Sequence, residues 1–253
     1  MARIVVFDSG LGSLSIIRAI QKKTKCEIIY FADEKNFPYG GKSVGILKKI
    51  ILKNIKSLDE IFRPDLIVMA SNTPTLLLRG VIQKNKKLIG VLPPLKEAKL
   101  LSHKTICVLA TKSVVSSRSF QEYLRNNSTK SKKIISINAS PLVELVESGN
   151  TRKKLCTNII HQTLHKQFLK HNVDVATLSS THLPFLLPYL KVLFPDISFI
   201  HPADLIADTV SIRLRKKQSK RNKLCVYTSG DSLDFEKKLS KLKIKHKVKQ
   251  LLI

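Results

Sequence analysis

The segment Pro64-Asp65-Leu66-Ile67-Val68-Met69-Ala70-Ser71-Asn72-Thr73 decides the fold of this chain. After a carboxylate, the apolar run Leu66 to Met69 enters small polar residues without interruption. This is the pattern of a strand buried on both faces that ends in a turn. A second copy, Asp174-Val175-Ala176-Thr177-Leu178-Ser179-Ser180-Thr181-His182, lies 109 residues further on, with Asp174 over Asp65, Ser180 over Ser71, Thr181 over Asn72 and His182 over Thr73. A second echo, offset by 102 residues, sets Ile4-Val5-Val6-Phe7-Asp8-Ser9 over Ile106-Cys107-Val108-Leu109-Ala110-Thr111. An ordinary strand ending in a polar turn explains any one of these alone. Together they predict a duplicated pair of α/β domains. Ligands of open α/β sheets bind beyond the carboxyl ends of the strands, which places Ser71 and Ser180 where a ligand is met. Asp8 opposite Ala110 makes the two halves unequal in charge.

The chain has 253 residues, 43% of them hydrophobic, enough for one large or two small domains with real cores. The opening Met1-Ala2-Arg3-Ile4-Val5-Val6-Phe7-Asp8 reaches a carboxylate after four apolar residues, unlike a signal or transit peptide, and no apolar run is of membrane-spanning length. Cys26, Cys107, Cys156 and Cys225 have neither C-x-x-C spacing nor a histidine pattern, so free thiols in a cytoplasmic protein are expected, with no metal site. The charge is unusual: 45 Lys and Arg against 18 Asp and Glu give +27. Most lysines are scattered through expected helices, with one dense block from Arg213 to Lys223 that reads as a helix end plus an exposed loop. No nucleic-acid-binding motif accompanies them, so the expectation is a lysine-rich solvated surface with incidental polyanion contact.

In order, strand Ile4–Phe7 leads into Asp8-Ser9-Gly10-Leu11-Gly12-Ser13-Leu14-Ser15, a poor dinucleotide fingerprint because Ser15 stands where a third glycine belongs. Strand Ile28–Ala32 ends at Asp33, and Phe37-Pro38-Tyr39-Gly40-Gly41 forms a turn expected to expose backbone groups and one aromatic ring. A helix capped by Ser43 and running to about Phe62 places Ile46, Leu47, Ile50, Ile51, Ile55, Leu58 and Phe62 in a core. After strand 65–70 come a helix from Pro74, strand Leu88–Leu92, and Pro93-Pro94, where the crossing to the second domain is expected. The second domain reads as strand 105–110, a helix Ser113–Arg125, strand Ile134–Ile137 and a short helix Pro141–Gly149. A long helix Arg152–Lys170, strand 174–178 and strand Ile197–Phe199 follow. Glu147, in the last turn of its helix, opposes the negative end of the helix dipole. That conflict marks it as more than an ordinary surface acid. A helix from Ala203, strand Cys225–Tyr227 and a last amphipathic helix return the chain to the first domain. The expected domains are 1–93 with 205–253, and 94–204.

In sum, the sequence resembles the glutamate racemases of the aspartate/glutamate racemase superfamily. The resemblance runs in order over nearly the whole chain, through Asp8-Ser9-Gly10-Leu11-Gly12, Asp33, Pro38-Tyr39-Gly40, Asn72-Thr73, Leu142-Val143-Glu144-Leu145-Val146-Glu147-Ser148-Gly149, Thr181-His182 and Thr228-Ser229-Gly230-Asp231. It implies two pseudo-symmetric parallel-sheet α/β domains with the ligand site between them. It also implies cofactor-independent racemisation of a small acidic amino acid (glutamate or aspartate), a role in cell wall biogenesis through a D-amino acid, and a homodimer.

The resemblance places two cysteines on opposite faces of the substrate, and at those positions this chain has Ser71 and Ser180. The supporting acids and histidine match Asp8 on the first side and Glu147 with His182 on the second. The substrate-holding groups match Ser9, Pro38, Tyr39, Gly40, Asn72, Thr73 and Thr181. The recognition half of such a site is intact and its proton-transfer half is altered. The sequence therefore implies either weak acid/base racemisation or a non-catalytic binding or regulatory homologue. A serine hydrolase is disfavoured by the lack of G-x-S-x-G.

Overall fold

A computed structural model describes residues 2–128, 132–149, 152–215, 217 and 220–253. The chain divides into two compact units, Met1–Val91 with Ala203–Ile253, and Leu92–Pro202.

Unit 1 opens with β1 (Arg3–Asp8), α1 (Ser13–Lys23), β2 (Glu27–Ala32), α2 (Val44–Phe62), β3 (Leu66–Met69), α3 (Asn72–Leu77), α4 (Arg79–Ile82) and β4 (Leu88–Gly90). In unit 2 follow α5 (Leu95–Leu101), β5 (Thr105–Ala110), α6 (Lys112–Val115), α7 (Arg118–Asn127), β6 (Lys133–Asn138), α8 (Ser140–Glu147), α9 (Lys153–His171), β7 (Val173–Leu178), α10 (Leu187–Leu193) and β8 (Ser198–Ile200). The chain returns to unit 1 as α11 (Ala203–Arg213), β9 (Lys223–Thr228), α12 (Ser232–Lys241) and β10 (Val248–Gln250). Within the expected basic block, Lys216, Gln218 and Ser219 lie outside the described residues. Lys217 pairs with Asp65, and Lys223 opens β9 and pairs with Glu27.

Both sheets are entirely parallel, in the order β10-β9-β2-β1-β3-β4 and β6-β5-β7-β8. In unit 1, Val5, Phe7, Ile29, Phe31, Ile67 and Met69 cluster with Leu47, Ile51, Ile55 and Leu58 of α2. The alternate strand residues Ile4, Val6, Ile28, Tyr30 and Val68 are equally buried, with Tyr30 edge-on to Phe235 of α12. Burial on both faces is why these strands read as unbroken apolar runs. In unit 2, Cys107, Leu109, Ala176 and Leu178 pack with Leu142, Leu145 and Val146 of α8 and with Ile160, Leu164 and Phe168 of α9.

The structure corrects several expectations. Ile46 is 55% exposed: it sits one residue, about 100° around the helix, from the buried Leu47, and the inward stripe of α2 passes beside it. The helix expected over Ser113–Arg125 is broken into α6 and α7, because the Ser117 hydroxyl accepts from Phe120 N and starts a new helix. Helix α3 begins at Asn72 rather than at Pro74. Strand β10 was not anticipated. It pairs with β9 at the sheet edge, and its Val248-Lys249-Gln250 carries one apolar residue. The single ring exposed by the turn after Asp33 is Phe37, whereas Tyr39 is 2% exposed. No helix among the described residues is long and apolar enough to cross a membrane.

Candidate functional site

In each sheet the strand order reverses direction around one strand, β1 in unit 1 and β5 in unit 2. The crevice outside the carboxyl ends of the strands at that reversal is where α/β sheets bind ligands. Register fixes what stands there. Asp8 ends β1, and Ser71 lies two residues past β3, after Ala70, whose N donates to Phe7 O at 2.8 Å. In unit 2, Ser179 N donates to Leu109 O at 2.9 Å, which brings Ser180 to the end of β7 beside the end of β5.

In unit 1, Asp8, Ser9, Ser71, Asn72 and Thr73 are all buried. Asp8 Oδ1 accepts from Ser9 N at 2.7 Å. Ser71 is held through its backbone, since Thr75 Oγ1 donates to Ser71 O at 2.7 Å and accepts from Val91 N at 3.0 Å. That bridge requires a glycine in β4, because a Cβ on Gly90 would lie 2.6 Å from Thr75 Cγ2. Asn72 donates to Val91 O at 3.1 Å while its buried Oδ1 has no partner among the described residues, an acceptor left for something else.

Pro38 and Gly40 flank Tyr39, whose ring is packed in the core and whose hydroxyl donates to Asp33 Oδ2 at 3.0 Å. Burial first, then the charges of Asp33 and Asp8, push the Tyr39 phenol well above its ordinary range, so it stays neutral. The phenol therefore anchors its turn instead of offering a free hydroxyl. Asp33 also accepts from Asn36, from Asn54 at 2.7 Å and from Ser229 at 3.1 Å. Asn54 was unmarked in the sequence, its available signal being an asparagine on the apolar stripe of α2, whereas Ser229 stands in the Thr228-Ser229-Gly230-Asp231 motif with no role assigned to it. Tyr30 was likewise unmarked, and its hydroxyl donates to Gly10 O at 2.5 Å and holds the turn after Ser9.

In unit 2, Ser180, Thr181 and His182 are buried after β7. Helix α8 ends at Glu147, with Ser148 after it and Gly149 in the left-handed conformation at φ 64°, which lets the chain turn away at once. Glu147 Oε1 then meets His182 Nε2 at 2.5 Å, with both side chains at most a tenth exposed. With the carboxylate accepting, Nε2 carries the hydrogen. The Glu147 carboxyl at the end of the helix thus has imidazole as a partner. Just before Ser180 in the chain, Thr177 Oγ1 and Ser179 Oγ share a hydrogen bond of 2.9 Å.

Among the described residues neither Ser71 Oγ nor Ser180 Oγ makes a hydrogen bond, and Ser71 caps no amide of α3. The four cysteines lie elsewhere: Cys26 precedes β2, Cys107 and Cys225 are mid-strand, and Cys156 is in α9. Burial pushes the Cys26 thiol up to about 12 and raises Cys107 further, so neither is a ready thiolate.

The chain matches no protein-family model. It is 32% identical over 216 residues to the glutamate racemase of Chlorobium phaeobacteroides, spanning 81% of this chain and 76% of that protein. It is 31% identical over 187 residues to that of Vibrio cholerae, spanning 73% and 69%. Among solved structures, a glutamate racemase from Bacillus anthracis superposes with a TM-score of 0.85 at 25% identity, covering 99% of this chain and 97% of the other. With two parallel sheets, this fold and these identities over most of both chains, the protein belongs to the glutamate racemase family.

Proposed function

We propose that this chain binds an acidic amino acid, glutamate foremost, and that its cofactor-independent racemisation is slow because Ser71 and Ser180 stand where thiols belong. Unit 1 would supply Asp8 and Ser71, with Ser9, Asn72, Thr73 and the Pro38-Tyr39-Gly40 turn. Unit 2 would supply Ser180 and Thr181, with His182 and Glu147. The observation that carries the reading is the buried His182–Glu147 contact on the strand end that bears Ser180, matched in unit 1 by buried Asp8 on the strand next to Ser71.

Racemisation requires a base on one face of the α-carbon and an acid on the other. A free thiol has a pKa of about 8.5, and proteins lower it by several units. If a serine hydroxyl is even about four units less acidic, reaching its basic form costs roughly 5 kcal/mol more, a slowing on the order of 10³ to 10⁴ in each direction. The greater basicity of an alkoxide returns part of that. An assisting base such as His182 would have to engage the hydroxyl directly.

Hydroxyls at both proposed proton-transfer positions favour a second reading, a non-catalytic binding or regulatory homologue that keeps the pocket. Incubation with L-glutamate in D₂O separates the two: α-deuteration with D-isomer supports slow racemisation, while calorimetric binding with no exchange over days supports the second. No binding of glutamate or aspartate would sink both. Replacement Ser71→Cys with Ser180→Cys is expected to raise or create racemase activity.

A further inference from the structure

Helix α2 turns a stripe of Leu47, Ile51, Ile55 and Leu58 to the sheet, and within its buried set one residue is polar, Asn54 at 2% exposure. An apolar side chain would suit that position, since a buried amide is tolerated only when its hydrogen bonds are met. Asn54 meets them in one place. Its Nδ2 donates to Asp33 Oδ2 at 2.7 Å and to Tyr39 Oη at 3.2 Å, and Tyr39 Oη itself donates to the same Asp33 oxygen at 3.0 Å. The three side chains form a closed ring in which the phenol hydrogen has one direction to point. On its other oxygen Asp33 accepts from Ser229 Oγ at 3.1 Å, and Ser229 Oγ accepts from Lys35 N at 3.0 Å. The cluster thus joins α2, the end of β2, the end of β9 and the turn that carries Pro38, Tyr39 and Gly40.

We propose that Asn54 is a positioning residue for the ligand site, fixing the Pro38-Tyr39-Gly40 turn through Tyr39 and Asp33, with Ser229 as its counterpart from β9. The inference rests on the proposed reading of that turn as ligand-holding. Asn54 touches no ligand itself. Its effect is to remove alternative settings of the phenol and so of the turn's backbone, a form of preorganisation in which ligand affinity carries the gain.

The test uses the full-length chain, calorimetric titration with L- and D-glutamate, and urea unfolding. The wild type is expected to bind. Asn54→Leu is expected to bind at least tenfold more weakly even where it is fully folded, and to lower the urea midpoint because the buried Asp33 Oδ2 loses a donor. A merely structural role would lower the midpoint alone and leave the affinity of the folded variant unchanged. Asn54→His, whose Nδ1–H reaches about as far as the Asn amide, is expected to recover part of the affinity. Ser229→Ala, which leaves α2 untouched, is expected to weaken binding three- to tenfold and serves should Asn54→Leu fail to fold. Affinity of folded Asn54→Leu within twofold of wild type, or of Ser229→Ala where Asn54→Leu does not fold, overturns the proposal and leaves the binding function standing. A wild type that binds neither enantiomer overturns both.

Discussion

His182 Nε2 lies 2.5 Å from Glu147 Oε1, joining the turn after β7 to the last residue of α8, with both groups almost fully out of water. Removing one member of a buried ion-paired or hydrogen-bonded couple withdraws a partner from the other, at a cost of up to roughly 3–5 kcal/mol. Glu147→Ala and His182→Ala are each expected to destabilise unit 2 on that scale. The double variant is expected to lose clearly less than the sum, because the contact the two share can be lost only once. A urea-denaturation cycle measures this, and strict additivity would show that the contact carries no coupling.

Thr75 links Ser71 O to Val91 N only because β4 carries no side chain at Gly90. Gly90→Ala would drive a methyl against Thr75 Cγ2 and Oγ1, 2.6 Å and 2.9 Å from the new Cβ. Overpacking of this kind costs about 1–3 kcal/mol, and it would shift Ser71. Adding Thr75→Ser removes the nearer atom and is expected to restore part of the loss. Equal stability of Gly90→Ala and wild type in urea would contradict the close approach.

Three carboxyls at the other ends of the sheets contribute to the response to acid. Burial raises Asp174, but Ser102 Oγ and the amides of His103 and Lys104 outweigh it and hold the carboxyl below its ordinary value. Asp65 is lowered likewise by Lys217 and the Arg3 amide, and Glu27 by Lys223 and Arg3, against burial in each case. A carboxyl with a depressed folded-state pKa binds fewer protons folded than unfolded, so its stabilisation is present above the ordinary carboxylate range of about 4 and is lost as pH falls through the folded-state value. The melting temperature is expected to drop between about pH 5 and pH 3. Asp174→Asn is expected to lower it at neutral pH and to flatten that acid limb. A parallel acid limb in the variant would exclude Asp174 as a contributor.

These acids also show what was legible. The repeat that sets Asp174 over Asp65 is realised as one hydrogen bond made twice: Arg3 N to Asp65 Oδ2 at 2.9 Å in unit 1, and Thr105 N to Asp174 Oδ1 at 3.1 Å in unit 2. Ala70 N to Phe7 O and Ser179 N to Leu109 O repeat in the same way. Strand pairs and their polar ends are local patterns with a fixed period, so both echoes could be read directly. The Asp33 cluster could not, because Asn54 and Ser229 stand 21 and 196 residues from Asp33 and meet it only after folding. Edge strand β10 was hidden because pairing on one side alone demands little apolar sequence. The break at Ser117 was hidden because a serine within a helical pattern becomes a cap only when the backbone turns there.

Returning the thiols one at a time separates the two proposed proton-transfer positions. A single base can remove the α-proton from one face and return a solvent deuteron to the same face, which exchanges label without inverting the centre. Inversion needs a second acid opposite. With Ser180→Cys alone, flanked by the Glu147–His182 pair, α-deuteration in D₂O is expected from one glutamate enantiomer with its configuration kept. With Ser71→Cys alone, adjoining Asp8, exchange is expected from the other enantiomer. Only the double replacement is expected to interconvert them, at a rate above wild type by as much as roughly 10³-fold if the thiols were the sole loss. Chiral chromatography with mass spectrometry reads both label and configuration. Exchange of the same enantiomer by both single variants would mean that Ser71 and Ser180 do not serve opposite faces of one α-carbon.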